Sequence, residues 1–186
     1  MIGGKIATMR RPRSSPPARA TVGILWSRDS IASTAAAVVD VLRAMNALAA
    51  MRPGGAQPPL RWRWLLPPDT EEEGAPAPPM PATAEPDEAL DIIVLPGWLV
   101  PTGPQLRDLS SQHGRHFGAL LRAHAAGGGR VAALFNGSSL LAGCGLLAGR
   151  RAALPWAFAP SITLQSRENG GVPLWQRDRS WQRDGA

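Results

Sequence analysis

Three short apolar runs stand out along the chain, and each is followed at once by residues that favour a turn. They cover residues 21–26, 91–95 and 131–135 and consist mainly of Val, Ile, Leu and Ala. Runs of this length and composition are typical of strands buried on both faces of a parallel sheet. The pattern therefore predicts an α/β domain in which helices connect these strands.

A helix is predicted after the first strand, from a turn at residues 27–33 to about Ala50. Ser30 or Ser33 is expected to cap its start. The apolar positions assigned to its core-facing stripe are Val38, Val41, Leu42, Met45 and Leu48. Their helical spacing predicts that this face packs on the sheet.

Residues 60–66 alternate Arg with Trp or Leu, which predicts an edge strand with one exposed face. A base-stacking platform is the less favoured interpretation, because arginines commonly snorkel beside apolar neighbours. Residues 67–86 contain many prolines and the acidic run of residues 71–73. This composition predicts a flexible insertion without regular structure.

The region before the third strand predicts a short helical turn at residues 104–111 and a helix at residues 114–126. Phe117, Leu120 and Leu121 are expected to be its buried residues. Three histidines lie here, namely His113, His116 and His124. They are expected to face solvent, because a metal site needs three or four convergent ligands and no such set accompanies them.

Residues 130–156 read as strand, sharp turn and helix. Asn136 and Gly137 supply turn chemistry, and Ser138 or Ser139 is a candidate helix cap. In α/β enzymes such a turn often carries a nucleophile in a strained conformation, but the tip here is Phe135. The apolar face of the helix is assigned to Leu140, Leu141, Cys144 and Leu147, and Gly149 to its left-handed end.

Less regular signals follow this helix. Residues 152–154 are expected to pair briefly, residues 161–165 form a candidate strand, and Gly170 and Gly171 predict a turn.

The composition gives a net charge of +6, which invites a nucleic-acid interpretation. Five of the positive residues lie within residues 1–20, which contain no acid and no periodicity, so this segment is expected to be a disordered tail. We therefore favour a protein without specific DNA binding. The single cysteine, Cys144, excludes an internal disulfide and favours the reducing cytoplasm. The sequence contains no run of eighteen apolar residues, so it predicts no ordinary membrane span.

The strand, turn and helix of residues 130–156 resemble the ThiJ/PfpI, or class I glutamine amidotransferase-like, superfamily. Within it, the closest pattern is the N-terminal domain of AraC-type transcriptional regulators, which reads strand, Cys, small polar residue, Gly, then a helix with GLLxGRxA. Residues 145–152 match that helix, Phe135 takes the cysteine position, and Pro155 takes the place of the usual His before Trp156. Residues 40–48 are similar to the family's DVFRxAN segment, and residues 91–97 to its strand ending in Pro-Gly.

This resemblance implies a flavodoxin-like three-layer sandwich with a mainly parallel sheet, incomplete at its C-terminus. It assigns residues 21–186 to one domain that ends before the closing strand, the closing helix and the helix-turn-helix module of the family. It also implies that Gly97 and Trp98 provide backbone N–H groups near the site. A homodimer is expected, with no cofactor and no bound metal.

The chemistry favours a non-catalytic sensor and dimerisation domain, because Phe135 cannot act as a nucleophile. A small-molecule effector is a possible ligand, and the candidate pocket residues are Gly97, Trp98, Phe135, Asn136, Gly137, Ser138 and Trp156. One alternative is a hydrolase or amidase-like enzyme that uses Ser138 or Ser139. Another is a marginally stable remnant with an exposed sheet edge.

Overall fold

The computed structural model describes residues 19–52, 59–67 and 77–177. Most of the predicted disordered tail, part of the proline-rich insertion and the residues after 177 lie outside this range. The first half contains β1 (Ala20–Leu25), α1 (Ala32–Ala50), β2 (Leu60–Leu65), β3 (Ile92–Leu95) and α2 (Gly103–Ala126). The second half contains β4 (Arg130–Ala133), a 3₁₀ turn (Phe135–Gly137), α3 (Ser138–Gly143), β5 (Arg151–Ala152), α4 (Ala159–Glu168) and β6 (Leu174–Trp175).

Four parallel strands form the main sheet in the order β2-β1-β3-β4. This topology confirms the predicted α/β class and the edge position of β2. The prediction that the third apolar run is buried on both faces is wrong, because side chains of β4 alternate between exposed and partly buried. Within the described residues no strand pairs with the far side of β4, so water reaches it.

Helices cover both faces of the sheet and make three layers. On one face, α1 packs over a core formed by Val22, Ile24, Val39, Leu42, Trp62 and Val94. On the other face, α2, α3 and α4 enclose a larger core that includes Leu25, Ile93, Leu95, Trp98, Leu106, Phe117, Leu121, Leu140 and Ile162. The larger core lies beneath the turn that follows β4, and it therefore holds that turn in place.

The buried face of α1 differs from the predicted stripe. Ala35, Val39 and Leu42 are its buried residues, whereas Val41 and Met45 are more than half exposed. Ala35 has a small side chain, so the helix approaches the sheet along this rotated face. By length and composition α1 is long and apolar enough to cross a membrane. Because α1 packs on the sheet, its composition is weak evidence for a membrane span.

The start of α1 is also different from the prediction. Its N-cap residue is Ile31, which makes no side-chain capping bond. The hydroxyl of Thr34 donates to the Ile31 carbonyl, and the Ser30 hydroxyl instead accepts a bond from the N–H of Ser27. Neither Ser30 nor Ser33 therefore caps the helix.

A single helix, α2, replaces the predicted turn and shorter helix. The Thr102 hydroxyl accepts a hydrogen bond from the N–H of Gln105 at its start, and Pro104 is tolerated there because the first turn needs no N–H partner. Gly114 lies inside α2 without interrupting it, and a Cβ there would meet Leu140 Cδ1 at 4.0 Å, an ordinary contact. Phe117 and Leu121 are buried as predicted, whereas Leu120 is exposed.

The described part of the proline-rich insertion is bound to the sheet although it has no helix or strand. The indole N–H groups of Trp62 and Trp64 donate to the carbonyls of Pro81 and Met80. The N–H of Thr83 donates to the Trp62 carbonyl. These bonds hold residues 80–84 along the outer edge of β2.

Residues 161–165 form part of α4, so the strand predicted there is wrong. Pro160 lies in the first helical turn, where it favours a helix start, and Ile162 and Gln165 are buried. The expected brief pairing at residue 152 is present, because β5 pairs with β6 in parallel. Gly149 has a left-handed φ of 69°, but the prediction that it ends the helix is wrong, because α3 already ends at Gly143.

Candidate functional site

The turn between β4 and α3, the elbow, has a strained backbone at its tip. Phe135 has a φ of 50° and is the one non-glycine residue with positive φ in the part of the chain that the structure describes. This conformation is unfavourable for a bulky side chain. The predicted position of the turn is therefore confirmed, but Phe135 carries the unusual dihedral, since Gly137 has a φ of −58°.

Gly137 is needed at the elbow because of crowding. A Cβ atom at this position would lie 2.5 Å from the carbonyl oxygen of Pro96 and 2.9 Å from that of Leu95. The end of β3 therefore presses directly on the elbow. A residue larger than glycine would push the two segments apart.

Asn136 ties the elbow to the loop after β3. Its side chain is fully buried, its Nδ2 donates to the Trp98 carbonyl over 3.0 Å, and its Oδ1 accepts the Trp98 N–H over 2.7 Å. The Trp98 side chain is buried in the larger core. These two residues thus form structural contacts, and neither side chain lines an open pocket.

The N–H group of Gly97 is also engaged. It donates to the Thr34 hydroxyl over 3.3 Å, while the Gly97 carbonyl accepts the N–H of Ile31 over 2.8 Å. A Cβ at Gly97 would lie 3.1 Å from the ring of Phe135, so that ring lies directly against the loop. Both N–H groups that the resemblance offers for oxyanion binding are therefore bonded to side chains of this chain.

The aromatic ring of Phe135 is half exposed and packs edge-on against Phe158. The ring centroids are 5.8 Å apart and the ring planes are nearly perpendicular, at 89°. Such an edge-to-face pair is a favourable arrangement of two aromatic rings. Phe135 thus occupies the position where a nucleophile would stand and packs there on a neighbour.

Ser138 and Ser139 are buried next to the elbow, but neither caps α3 through its side chain. The Ser138 hydroxyl donates to the carbonyl of Phe135, and the Ser139 hydroxyl donates to the Gln165 amide oxygen over 2.7 Å. Within the described ranges neither hydroxyl is bonded to a His, Asp or Glu side chain. No general base is thus in contact with either serine.

Trp156 and Cys144 lie outside the elbow contacts. Trp156 is 85% exposed on the surface. Cys144 was assigned to the apolar face of the helix after the elbow, but it is the residue that follows α3, and its thiol is buried. Burial raises the pKa of this thiol, although the Arg122 guanidinium acts in the opposite direction, so the thiol is protonated at neutral pH.

His113 is buried in the core, so the expectation that it faces solvent is wrong. Its ring stacks on that of Trp98 with centroids 5.0 Å apart. Burial lowers the pKa of His113 to about 4, with Asp29 raising it and His116 lowering it. Two buried atoms, Nε2 of His113 and Nε1 of Trp98, have no hydrogen-bond partner among the described residues. The amphipathic pattern of α2 was the one sequence signal that His113 is buried. Histidine is usually polar and exposed, so its residue type pointed the other way.

The other histidines do not form a metal site. His124 Nε2 lies 3.0 Å from the Arg130 carbonyl oxygen. Across the described segments, no group of three or more His, Cys, Asp or Glu side chains converges on one point.

Two cavities in the described residues lie away from the elbow. One of about 290 Å³ is between α2 and the ends of α3 and α4, and one of about 330 Å³ is beside α4 and β6. None of the seven predicted pocket residues lines either cavity. The structure brings Gly97, Phe135 and Asn136 together, but it fills the space between them.

No protein-family model matches this chain, and no curated protein matches it either. Seven chains of solved structures match this one in fold. Drosophila melanogaster DJ-1beta, of the ThiJ/PfpI family, has a TM-score of 0.56 and 19% identity over 90% of this chain and 78% of that chain. An AraC family transcriptional regulator from Pseudomonas putida has a TM-score of 0.52 and 20% identity over 89% of this chain and 80% of that chain.

These two structures are of the kinds that the sequence resemblance named. At these identities the likeness shows the fold, which is the flavodoxin-like arrangement predicted from the sequence.

Proposed function

We propose that this chain is a non-catalytic sensor and dimerisation domain related to AraC-type transcriptional regulators. The observation that carries the proposal is Phe135, which occupies the strained tip of an elbow built as in a ThiJ/PfpI-like fold. A phenyl ring has no proton to transfer and no lone pair to attack a carbonyl. The elbow thus keeps its architecture without the group that would make it reactive.

The contacts around Phe135 support the same conclusion. An oxyanion hole needs donors that point at the developing charge and are not already bonded. The N–H groups of Gly97 and Trp98 are bonded to Thr34 and Asn136, so binding an oxyanion would require breaking existing bonds. The cost of breaking them would oppose catalysis.

The catalytic alternative can be tested by hydrolysis assays. We expect purified protein to hydrolyse p-nitrophenyl esters and amides no faster than the Ser138→Ala and Ser139→Ala variants. Turnover by the unmodified protein that either substitution abolishes would contradict the non-catalytic proposal and favour the hydrolase.

Dimerisation is proposed through an exposed apolar surface on α1, called here the α1 stripe. It consists of Ala37, Val41, Met45 and Leu48, which recur at helical spacing on the side opposite the sheet. None of these residues is charged, and the Asp40–Arg43 ion pair lies beside them. Two copies related by a two-fold axis would bury both stripes against each other.

The dimer is tested by light scattering after size-exclusion chromatography. We expect the full chain to elute as a dimer and Val41→Glu to make it monomeric, because the variant places a charge in the buried interface. Leu174→Glu is the matched control, since Leu174 on β6 is 55% exposed and Val41 is 58% exposed. A monomeric full chain, or equal effects of both substitutions, would contradict the proposed interface.

The proposal places the protein in the cytoplasm, without a cofactor and without specific DNA binding of its own. A single buried cysteine agrees with a reducing compartment, because no disulfide has to form. A small-molecule effector completes the proposed sensor role.

A further inference from the structure

The cleft between α2 and the ends of α3 and α4 has a positively charged lining. Its volume is about 290 Å³. Three arginines of α2, namely Arg107, Arg115 and Arg122, line it together with one carboxylate, that of Glu168. The charged groups of the lining therefore sum to more positive than negative charge.

The three arginines differ in whether they form an ion pair. Arg107 forms an ion pair with Glu168, with 2.8 Å between Nη2 and Oε2. Arg115 and Arg122 form no ion pair within residues 19–52, 59–67 and 77–177. They are seven residues apart, which places them about two turns apart on one side of α2. Two guanidinium groups are thus available along the cleft.

The floor of the cleft is polar although it is buried. Ser110 is fully buried and Gln165 is 3% exposed, and Gln165 Nε2 donates to the Ser110 hydroxyl over 3.0 Å. The Gln165 amide oxygen accepts the Ser139 hydroxyl, which fixes the orientation of the amide. This leaves the second proton on Gln165 Nε2 and the proton of the Ser110 hydroxyl as donors that can serve a ligand.

Glycines allow close packing around these polar groups. A Cβ at Gly143 would lie 2.8 Å from Gln165 Nε2 and 3.2 Å from the Ser110 hydroxyl. At Gly118 a Cβ would lie 3.2 Å from the Arg122 guanidinium. A larger side chain at Gly143 would displace the buried donors, whereas one at Gly118 would shift the flexible end of Arg122.

We propose that this cleft binds a small organic anion through a carboxylate or phosphate group. Arg115 and Arg122 supply the charge, because guanidinium groups bind both kinds of anion through paired hydrogen bonds. Ser110 and Gln165 supply fixed neutral donors at the floor. The volume lies at the lower end of the range for ligand cavities, which restricts the ligand to a small molecule.

This site is separate from the elbow, and binding there does not depend on the absence of catalysis or on dimerisation. If the protein is the sensor proposed above, the cleft is where its effector binds. Failure of anion binding would refute the cleft assignment and leave the assay of the elbow and the dimer measurement unaffected.

Cys144 provides a reporter of the cleft at alkaline pH, where more of its thiol is ionised. It is the single cysteine of the chain and lies in the cleft wall. We expect succinate or inorganic phosphate, added at constant ionic strength, to slow alkylation of Cys144 by iodoacetamide in a saturable way. Succinate tests the carboxylate and phosphate tests the phosphate, and calorimetric titration of each anion gives its Kd.

The variants Arg115→Gln and Arg122→Gln remove the proposed charges on the protein surface and leave the core intact. We expect each to weaken binding of the preferred anion by at least about ten-fold. Arg130→Gln, which removes an exposed arginine at the start of β4, is the matched control and should bind normally. Protection by sodium chloride alone, absence of saturation with both anions, or equal binding by all three variants would overturn the proposal.

Discussion

Replacing Asn136 with alanine should destabilise the fold strongly, because the two hydrogen bonds to Trp98 would be lost in a fully buried position. The Trp98 N–H would then be buried without a partner, whereas the Trp98 carbonyl would keep its bond from the Val100 N–H. A buried N–H without a partner costs about 1–3 kcal/mol and a lost hydrogen bond about 0.5–1.5 kcal/mol, so the free energy of unfolding should fall by about 1.5–4.5 kcal/mol. For a chain of this size, each kcal/mol lowers the Tm by about 2–4 °C.

Asn46 offers a matched control within the same protein. Its amide makes the same pair of bonds to a backbone, donating to the Leu60 carbonyl over 2.7 Å and accepting the Leu60 N–H over 3.0 Å. Asn46 is only partly buried, so water can replace its bonds, and Asn46→Ala should cost about 0.5–2 kcal/mol. Urea unfolding followed by tryptophan fluorescence measures both variants. A loss for Asn136→Ala no larger than that for Asn46→Ala would refute the argument that the elbow is fastened by a buried amide.

Two further predictions concern crowding at the elbow and the buried histidine. Gly137→Ala should destabilise the protein by about 1–3 kcal/mol, because the added Cβ would press on the Pro96 carbonyl. Gly114→Ala should stabilise it by about 0.5–1 kcal/mol, because alanine favours a helix more than glycine does. Chemical denaturation measures both changes. The pKa of His113 is about 4 in the folded protein and 6.5 in the unfolded protein, so the unfolded state binds more protons between these pH values. The free energy of unfolding should therefore fall by about 3 kcal/mol as the pH drops from 6.5 to 4. His113→Phe should remove most of this dependence and His116→Gln should keep it; an unchanged slope in His113→Phe would contradict the assignment.

The apolar runs were sufficient to predict the parallel sheet, because burial of β1 and β3 on both faces leaves a signal that is local in sequence. The run of β4 predicted a strand but not its exposure. The rotation of α1 was not predictable in this way. Val41 and Val39 are equally apolar, and only the close approach permitted by Ala35 decides which one faces the sheet. The strand predicted at residues 161–165 was wrong for a similar reason. Ile162 and Thr163 favour a strand by their intrinsic propensity, whereas the tertiary contacts of Ile162 and Gln165 favour a helix.

The elbow shows the same division between local and distant causes. The Phe-Asn-Gly sequence predicted the sharp turn, but the strained φ at Phe135 depends on the approach of β3 to Gly137. The bonds between Asn136 and Trp98 join residues 38 positions apart, so no local pattern reveals them. The cleft of Arg115 and Arg122 was missed because its lining comes from three different helices.

Amide hydrogen exchange at Trp98, followed by NMR, tests most directly whether the elbow is closed by its own side chains. The account predicts slow exchange for the Trp98 N–H, because it is bonded to Asn136 Oδ1 in a buried position, and much faster exchange in Asn136→Ala. Rapid exchange of this amide in the unmodified protein would mean that the N–H is free to bind an oxyanion, and it would contradict the non-catalytic assignment of the elbow.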